Sequence, residues 1–319
     1  MDVGAQALGL MPPHPAVAGG LRPGVGGRAR AFGLARPGEN PTMPDGSLRA
    51  GSRDDEARPM RIATWNVNSV RQRLPHLLDY LGRVTPDVLC LQELKCVDDA
   101  FPRAEVEALG YRCAVHGQKG FNGVAILSKA EPLEPPRSGL PGDEGDAQAR
   151  YIEAVLPSGT GPVRVASVYL PNGNPPDTDK YPYKLAFMDR LLRRAAELLA
   201  GEECFVLAGD YNVIPEPRDV YDPPAWAGDA LYLPETRRRF RALLNLGLTD
   251  AVRATTDAAG VYSFWDYQAG AWPRDRGIRI DHLLLSPRAA DRLRGADIDK
   301  AVRAADKPSD HVPVRVDLA

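Results

Sequence analysis

Polar residues suited to metal or phosphate chemistry border apolar runs at five places in the chain. Asn66 ends the run in TWNVN, Glu93 follows VLCLQ, and LAGDYNVIP sets Asp210 and Asn212 where a buried strand should end. Asp281 enters the run of RIDHLLLS, and Asp310 with His311 enters that of SDHVPVRV. In extended chain, residues i and i+2 share a face, so Asp210 and Asn212 are expected to point the same way. Oxygen donors without clustered His or Cys favour Mg²⁺ over Zn²⁺. A single His and a separate Asp can form a couple that holds the imidazole's tautomer and charge. There is no GxSxG elbow and no P-loop ending in Gly-Lys-Ser or Gly-Lys-Thr, so acyl transfer and nucleotide-triphosphate motors have no support. Metal-assisted phosphoester hydrolysis remains.

Each group also has an ordinary reading. Asp-x-Asn beside Gly209 is turn composition, because both side chains cap their own backbone. A lone Glu at a strand end is usually solvated or paired with Arg, and a lone His is more often hydrogen-bonded than catalytic. Five such groups at strand ends favour a site, since loops held by a rigid sheet are where sites are built.

The elements that must position these groups are short strands. RIATWNV, DVLCLQE, GVAILS, YIEAVL, VRVASVYL, CFVLAGD, IRIDHLLLS and VPVRVDL are apolar, β-branched runs bounded by Gly, Pro, Asn or Asp. Helical periodicity is clearest over 184–200 and weaker over 71–83, 103–109, 235–246 and 287–294. Residues 111–128 and 151–169 carry successive runs with no helix between them, which argues against a doubly wound parallel sheet. The expected fold is α/β, a four-layer sandwich of two packed mixed β-sheets flanked by helices.

Residues 1–59 hold 11 Gly and 8 Pro and read as a disordered tail, leaving 60–319 as the catalytic domain. Met60 opens the first strand-like run, so the tail is expected to reflect an upstream translation start; the intact mass of the native protein tests this. Neither a secretory core nor a membrane-length apolar stretch is visible. Cys90, Cys96, Cys113 and Cys204 form no CxxC pair, which suits reduced thiols and a cytoplasmic location. With 40 basic and 42 acidic residues, binding to a polyanion needs a local basic patch.

In order, TWNVNSVRQRL, LCLQELKC, GFNGVAILS, AQARYIEA, SVYLPNG, LAGDYNVIP, FWDY, RGIRIDHLLLS and KPSDHVPV resemble the exonuclease III type of abasic-site DNA repair nucleases. That group lies within the endonuclease/exonuclease/phosphatase superfamily and has a deoxyribonuclease I-like fold. The resemblance runs from Met60 to Leu318. It implies Mg²⁺, with Mn²⁺ as a substitute, and places Asn66, Glu93, Asp210, Asn212, Asp310 and His311 around the metal. Asp210 would position and deprotonate the attacking water, Asn212 would orient it and the phosphate, Tyr169 would contact the phosphate, and His311 coupled to Asp281 would stabilise charge. Phe264, Trp265, Ile278 and Ile280 stand where the family keeps its abasic pocket, Ile278 in a place that relatives fill with an aromatic residue. Arg71, Arg73, Lys95, Asn122, Lys184 and Arg279 are the expected DNA contacts.

The implied partner is double-stranded DNA with abasic sites or 3′-blocked ends, met by a monomer that is bacterial in type and nucleoid-associated through DNA. The implied reaction is hydrolysis 5′ to abasic sites, with 3′-to-5′ exonuclease and 3′-phosphatase activity. The alternative is a phosphoesterase of the same fold, of the sphingomyelinase or inositol-phosphate phosphatase type.

Overall fold

The computed structural model describes residues 58–319. The expected tail therefore lies outside the described residues except for Arg58 and Pro59. Six strands form the first sheet: β1 (Met60–Asn66), β2 (Val88–Gln92), β3 (Arg112–His116), β4 (Val124–Ser128), β11 (Leu293–Ile298) and β12 (Val314–Leu318), ordered β11-β12-β1-β2-β4-β3. Six more form the second: β5 (Arg137–Ser138), β6 (Tyr151–Leu156), β7 (Val163–Tyr169), β8 (Phe205–Asp210), β9 (Thr249–Asp250) and β10 (Asp281–Leu285), ordered β5-β6-β7-β8-β10-β9. The eight sequence runs correspond to β1, β2, β4, β6, β7, β8, β10 and β12.

Alternation along the strands builds the layers. Ile62, Cys90 and Ile126 of the first sheet meet Val165, Val206 and Leu283 of the second in one buried cluster. The intervening Trp65, Leu89 and Leu91 face the other way, onto Leu77, Tyr80 and Leu81 of α1 (Leu74–Val84). On the far side Phe205 and Leu207 pack on Phe187 and Leu191 of α3 (Lys180–Ala200) and on Phe240 of α4 (Pro234–Asn245). A one-residue slip of β1 or β8 would exchange its two apolar faces, so the register is strongly specified. A polar seam crosses the sheets: Gln92 Nε2 donates to Ser167 Oγ at 2.9 Å, and Ser167 Oγ donates to the Leu91 carbonyl at 2.9 Å.

α2 (Arg103–Glu107) shortens the helix expected over 103–109, and α5 (Ala251–Thr255) was not signalled by its few residues. α3 begins a turn before residue 184 because Pro182 is tolerated in a first helical turn. The helix expected over 287–294 is corrected: α6 covers only Pro287–Ala290, and Leu293–Ile298 pairs antiparallel with β12, with a register shift between Leu293 and Gly295. No described helix is long and apolar enough to cross a membrane.

Candidate active site

The topology brings the five sequence positions to one rim. β1 and β2 run parallel with Asn66 beside Gln92, and β7 and β8 run parallel with Tyr169 beside Asp210. Asn66, Glu93, Tyr169 and Asp210 thus lie at carboxyl ends of parallel strands. β10 runs antiparallel to β8, which sets Asp281 opposite Asp210, and β12 runs antiparallel to β1, which brings the preceding His311 to the same rim. Asn66 closes the gap between the sheets, donating from Nδ2 to Glu93 Oε1 at 2.9 Å and to Asp210 Oδ2 at 3.0 Å.

Local backbone explains the residue types. A Cβ at Gly209 would lie 1.9 Å from the Val168 carbonyl oxygen, so the strand that presents Asp210 needs glycine before it. Glu93 and Asn212 have φ of 54° and 48°, left-handed backbone that turns the chain sharply as each strand ends. Asp210 Oδ1 accepts the Asn212 N–H at 2.9 Å, so the turn reading of Asp-x-Asn is realised together with the site.

Burial and charge then set the protonation states. His311 Nδ1 lies 2.9 Å from Asp281 Oδ2, which also accepts from Ser263 Oγ at 2.6 Å. Burial opposes a charge on His311, but Asp281 and then Asp210 outweigh it and raise the imidazole to about 10, an imidazolium at neutral pH. Nδ1–H donates to Asp281, and Nε2 lies 3.8 Å from Asp210 Oδ2. Burial pushes Asp210 up to about 7 against the opposing charge of His311. Burial would also raise Glu93, yet Lys95 at 2.9 Å and the Asn66 hydrogen bond hold it below the usual carboxylate range. Burial, with Glu93 and Asp210 nearby, keeps Tyr169 a phenol that donates to Glu93 Oε1 at 3.0 Å. Asp210, Asp281 and His311 each offer a ligand atom within 4.8 Å of one another, a cluster able to hold a metal ion.

Residues 63–311 match the profile of the Endonuclease/Exonuclease/phosphatase family. Over 264 residues the chain is 36% identical to exodeoxyribonuclease III of Haemophilus influenzae, covering 80% of this chain and 98% of that one. The chain belongs to the exonuclease III/AP endonuclease family. It is a DNA repair nuclease of that type and a phosphodiesterase homologue. A Neisseria 3′ phosphatase, NExo, solved bound to a product DNA hairpin, is 39% identical with a TM-score of 0.78, over 82% of this chain and 99% of that one. An AP endonuclease from Archaeoglobus fulgidus is 36% identical with a TM-score of 0.77, over 81% of this chain and 99% of that one.

In this nuclease the expected DNA-contact residues divide. Arg71 is exposed, Lys95 is half-buried against Glu93, and Phe264 packs its ring edge-on to His311 with centroids 4.9 Å apart. Arg73 is largely spent on the Asn68 and Pro308 carbonyls, and Asn122 on the side chains of Gln118 and Gln148. Asp310 accepts from Asn68 Nδ2 at 3.1 Å.

Five more of the expected DNA-contact residues are buried. Arg279 is 0% exposed and bonds Asp219 at 2.7 Å and Asp250 at 2.8 Å, so its charge is consumed inside the protein. Lys184, also 0% exposed, donates to the Asn212 carbonyl at 2.6 Å and to the Asn172 carbonyl at 3.0 Å. Trp265 is enclosed with Tyr262, Ala271 and Val312, its Nε1 donating to Asp275 at 3.0 Å. Ile278 and Ile280 are buried with Ile214, Val220 and Leu231, and the partly buried Phe264 packs against that cluster.

Two neighbours of the site were not singled out as site residues from sequence. Asn172 is exposed and donates from Nδ2 to Asn212 Oδ1 at 3.1 Å; its signal was a polar residue two positions beyond the run in SVYLPNG. Arg150 stacks over the Tyr169 ring at 4.7 Å, and its signal was an Arg directly before YIEAVL.

Proposed function

We propose that the nuclease hydrolyses the phosphodiester 5′ to an abasic nucleotide in duplex DNA, with 3′-to-5′ exonuclease and 3′-phosphatase activity on the same site. The observation that carries this is a buried carboxylate, Asp210, beside an imidazolium, His311, itself held by Asp281. Asp210 takes the proton of the attacking water, and Asn212 orients water and phosphate. His311 opposes the charge that builds on the phosphoryl oxygens, and the Tyr169 phenol contacts the phosphate. Phosphodiester hydrolysis needs a barrier reduction near the upper end of ~8–23 kcal/mol, more than one hydrogen bond supplies.

Glu93 and Asn66, with Asp310 directly or through water, would hold Mg²⁺, with Mn²⁺ as a substitute. The residues fit a hard cation: Glu93 already takes the Lys95 ammonium at 2.9 Å, and Glu93 and Asp310 offer carboxylate oxygens. In the buried Asp/Asp/His cluster, Asp281 is spent on His311 and Ser263, so that cluster serves the imidazole better than an ion. When bound, the cation neutralises developing charge on the phosphate.

The catalytic domain spans residues 60–319 and acts as a monomer in the cytoplasm, associated with the nucleoid through DNA. One relative is an AP endonuclease and another a 3′ phosphatase solved with DNA, which supports this substrate class. A panel of abasic duplex, 3′-phosphate duplex, sphingomyelin and inositol phosphates tests the reading. Turnover confined to the two DNA substrates is expected; turnover of a lipid or inositol phosphate with inert DNA would replace the proposal.

A further inference from the structure

Lys184 is the one residue of α3 whose ammonium is fully enclosed beside the site. Its Nζ donates to the backbone carbonyls of Asn212 at 2.6 Å and Asn172 at 3.0 Å. Among the described residues it forms no salt bridge; burial pulls its amine down to about 7 against the nearby Asp229 and Asp210, and its hydrogen bonds go to two carbonyls. The carbonyls belong to two different loops. Asn172 lies just beyond β7 and Asn212 just beyond β8, and Lys184 is the side chain that joins them from behind. Gly173, with φ of 87°, makes the approach possible, since a Cβ there would lie 2.7 Å from Lys184 Cδ.

In front of this tie the two carboxamides are aligned in series. Asn172 Nδ2 donates to Asn212 Oδ1 at 3.1 Å, and Asn212 Nδ2 donates to the Leu170 carbonyl at 2.9 Å. The Asn174 N–H donates to Asn172 Oδ1 at 3.2 Å, which fixes the remaining amide direction. If the Asn172 loop moved, the Asn212 carboxamide would lose the donor that orients it, and Asn212 adjoins the base.

We infer that Lys184 is a positioning residue, which ties the Asn172 and Asn212 loops together so that their carboxamides are preset for the phosphate. This rests on the phosphodiesterase reading above. It assigns Lys184 no contact with DNA, so substitution acts on turnover and not on the electrostatic part of binding.

The test compares Lys184→Met, which keeps the stem and removes the donors, Lys184→Arg, which restores donors, Asn172→Ala, and Lys184→Met with Asn172→Ala. On an abasic duplex with Mg²⁺, Lys184→Met is expected to lower kcat about 10- to 100-fold, with KM and its salt dependence close to the parent. Lys184→Arg recovers part of the loss, and the double variant is no slower than about the worse single. A raised KM with unchanged kcat and a flatter salt dependence would overturn the inference in favour of a DNA contact.

A second readout needs no substrate. Side-chain amide protons of Asn172 and Asn212, followed by NMR, should lose exchange protection in Lys184→Met and regain it in part in Lys184→Arg. Unchanged protection would overturn the positioning role. Should Lys184→Met fail to fold, Lys184→Gln, which removes the amine but keeps a polar tip, carries the test: altered Asn172 and Asn212 amide signals with a lowered kcat support the role, and parental values of both overturn it. An inert parental enzyme would count against the function reading alone, because the amide measurement still decides the role of Lys184.

Discussion

Asp281 reaches no further than its neighbours: its carboxylate is spent on His311 and on Ser263. Its effect on turnover must therefore pass through the imidazole, which it orients and keeps charged against the cost of burial. Asp281→Asn is expected to lower kcat about 10- to 1,000-fold, and His311→Asn to lower it further. The double variant should be close to His311→Asn alone, since removing the imidazole leaves Asp281 nothing to act on. Single-turnover rates on an abasic duplex measure this, and losses that multiply would show that Asp281 acts independently. These residues were legible because each interrupts an apolar run with a polar group. The buried cations were not: Arg279 and Lys184 look like any surface charge until Asp219 and Asp250, or the Asn212 carbonyl, are brought to them from far along the chain.

At the scale of elements, the approach to β10 is held from behind. Arg279 joins Asp219 to Asp250, the residue that caps α5 by accepting the Arg253 N–H, and its Nη1 donates to His282 Nδ1 at 2.9 Å. Arg279→Met would leave two buried carboxylates short of a partner, a loss of about 3 kcal/mol and a fall of roughly 10 °C in Tm. Calorimetry checks this; an unchanged Tm with weakened DNA binding would return Arg279 to the DNA interface.

His282 adds a pH dependence. Burial, with the nearby Arg279 charge, pulls it down to about 4, so its Nε2–H donates to the Val213 carbonyl at 3.0 Å and the ring stays neutral. The unfolded chain takes up that proton near pH 6.5 and the folded protein does not. The stability contributed is complete above about pH 6.5 and is lost as pH falls through about 4, a span of about 3 kcal/mol. Urea unfolding at pH 7 and 4.5 should show a smaller difference in His282→Gln than in the parent, and equal differences would refute the assignment. The periodicity over 287–294 predicts a longer helix than forms, because LRGADI lacks strict alternation and its partner is the separate C-terminal strand β12.

For the molecule as a whole, the four layers serve to close one seam. Two sheets packed through their apolar faces leave a shared rim, and the antiparallel strands β10 and β12 return polar residues to the same rim that the parallel strands leave. The layering was legible from the runs and the helix-free connections, whereas the exposure of any single Arg or Ile depends on packing between segments that local pattern does not encode. We propose that this rim hydrolyses DNA at abasic sites with Asp210 as the base. Incision of a duplex oligonucleotide carrying one abasic-site analogue, by parent and Asp210→Asn protein, with Mg²⁺ or with EDTA, decides this. A single cut immediately 5′ to the lesion is expected, lost with EDTA and reduced at least about a thousandfold in Asp210→Asn. Near-parental cutting by folded Asp210→Asn, or none by the folded parent with Mg²⁺, would contradict it.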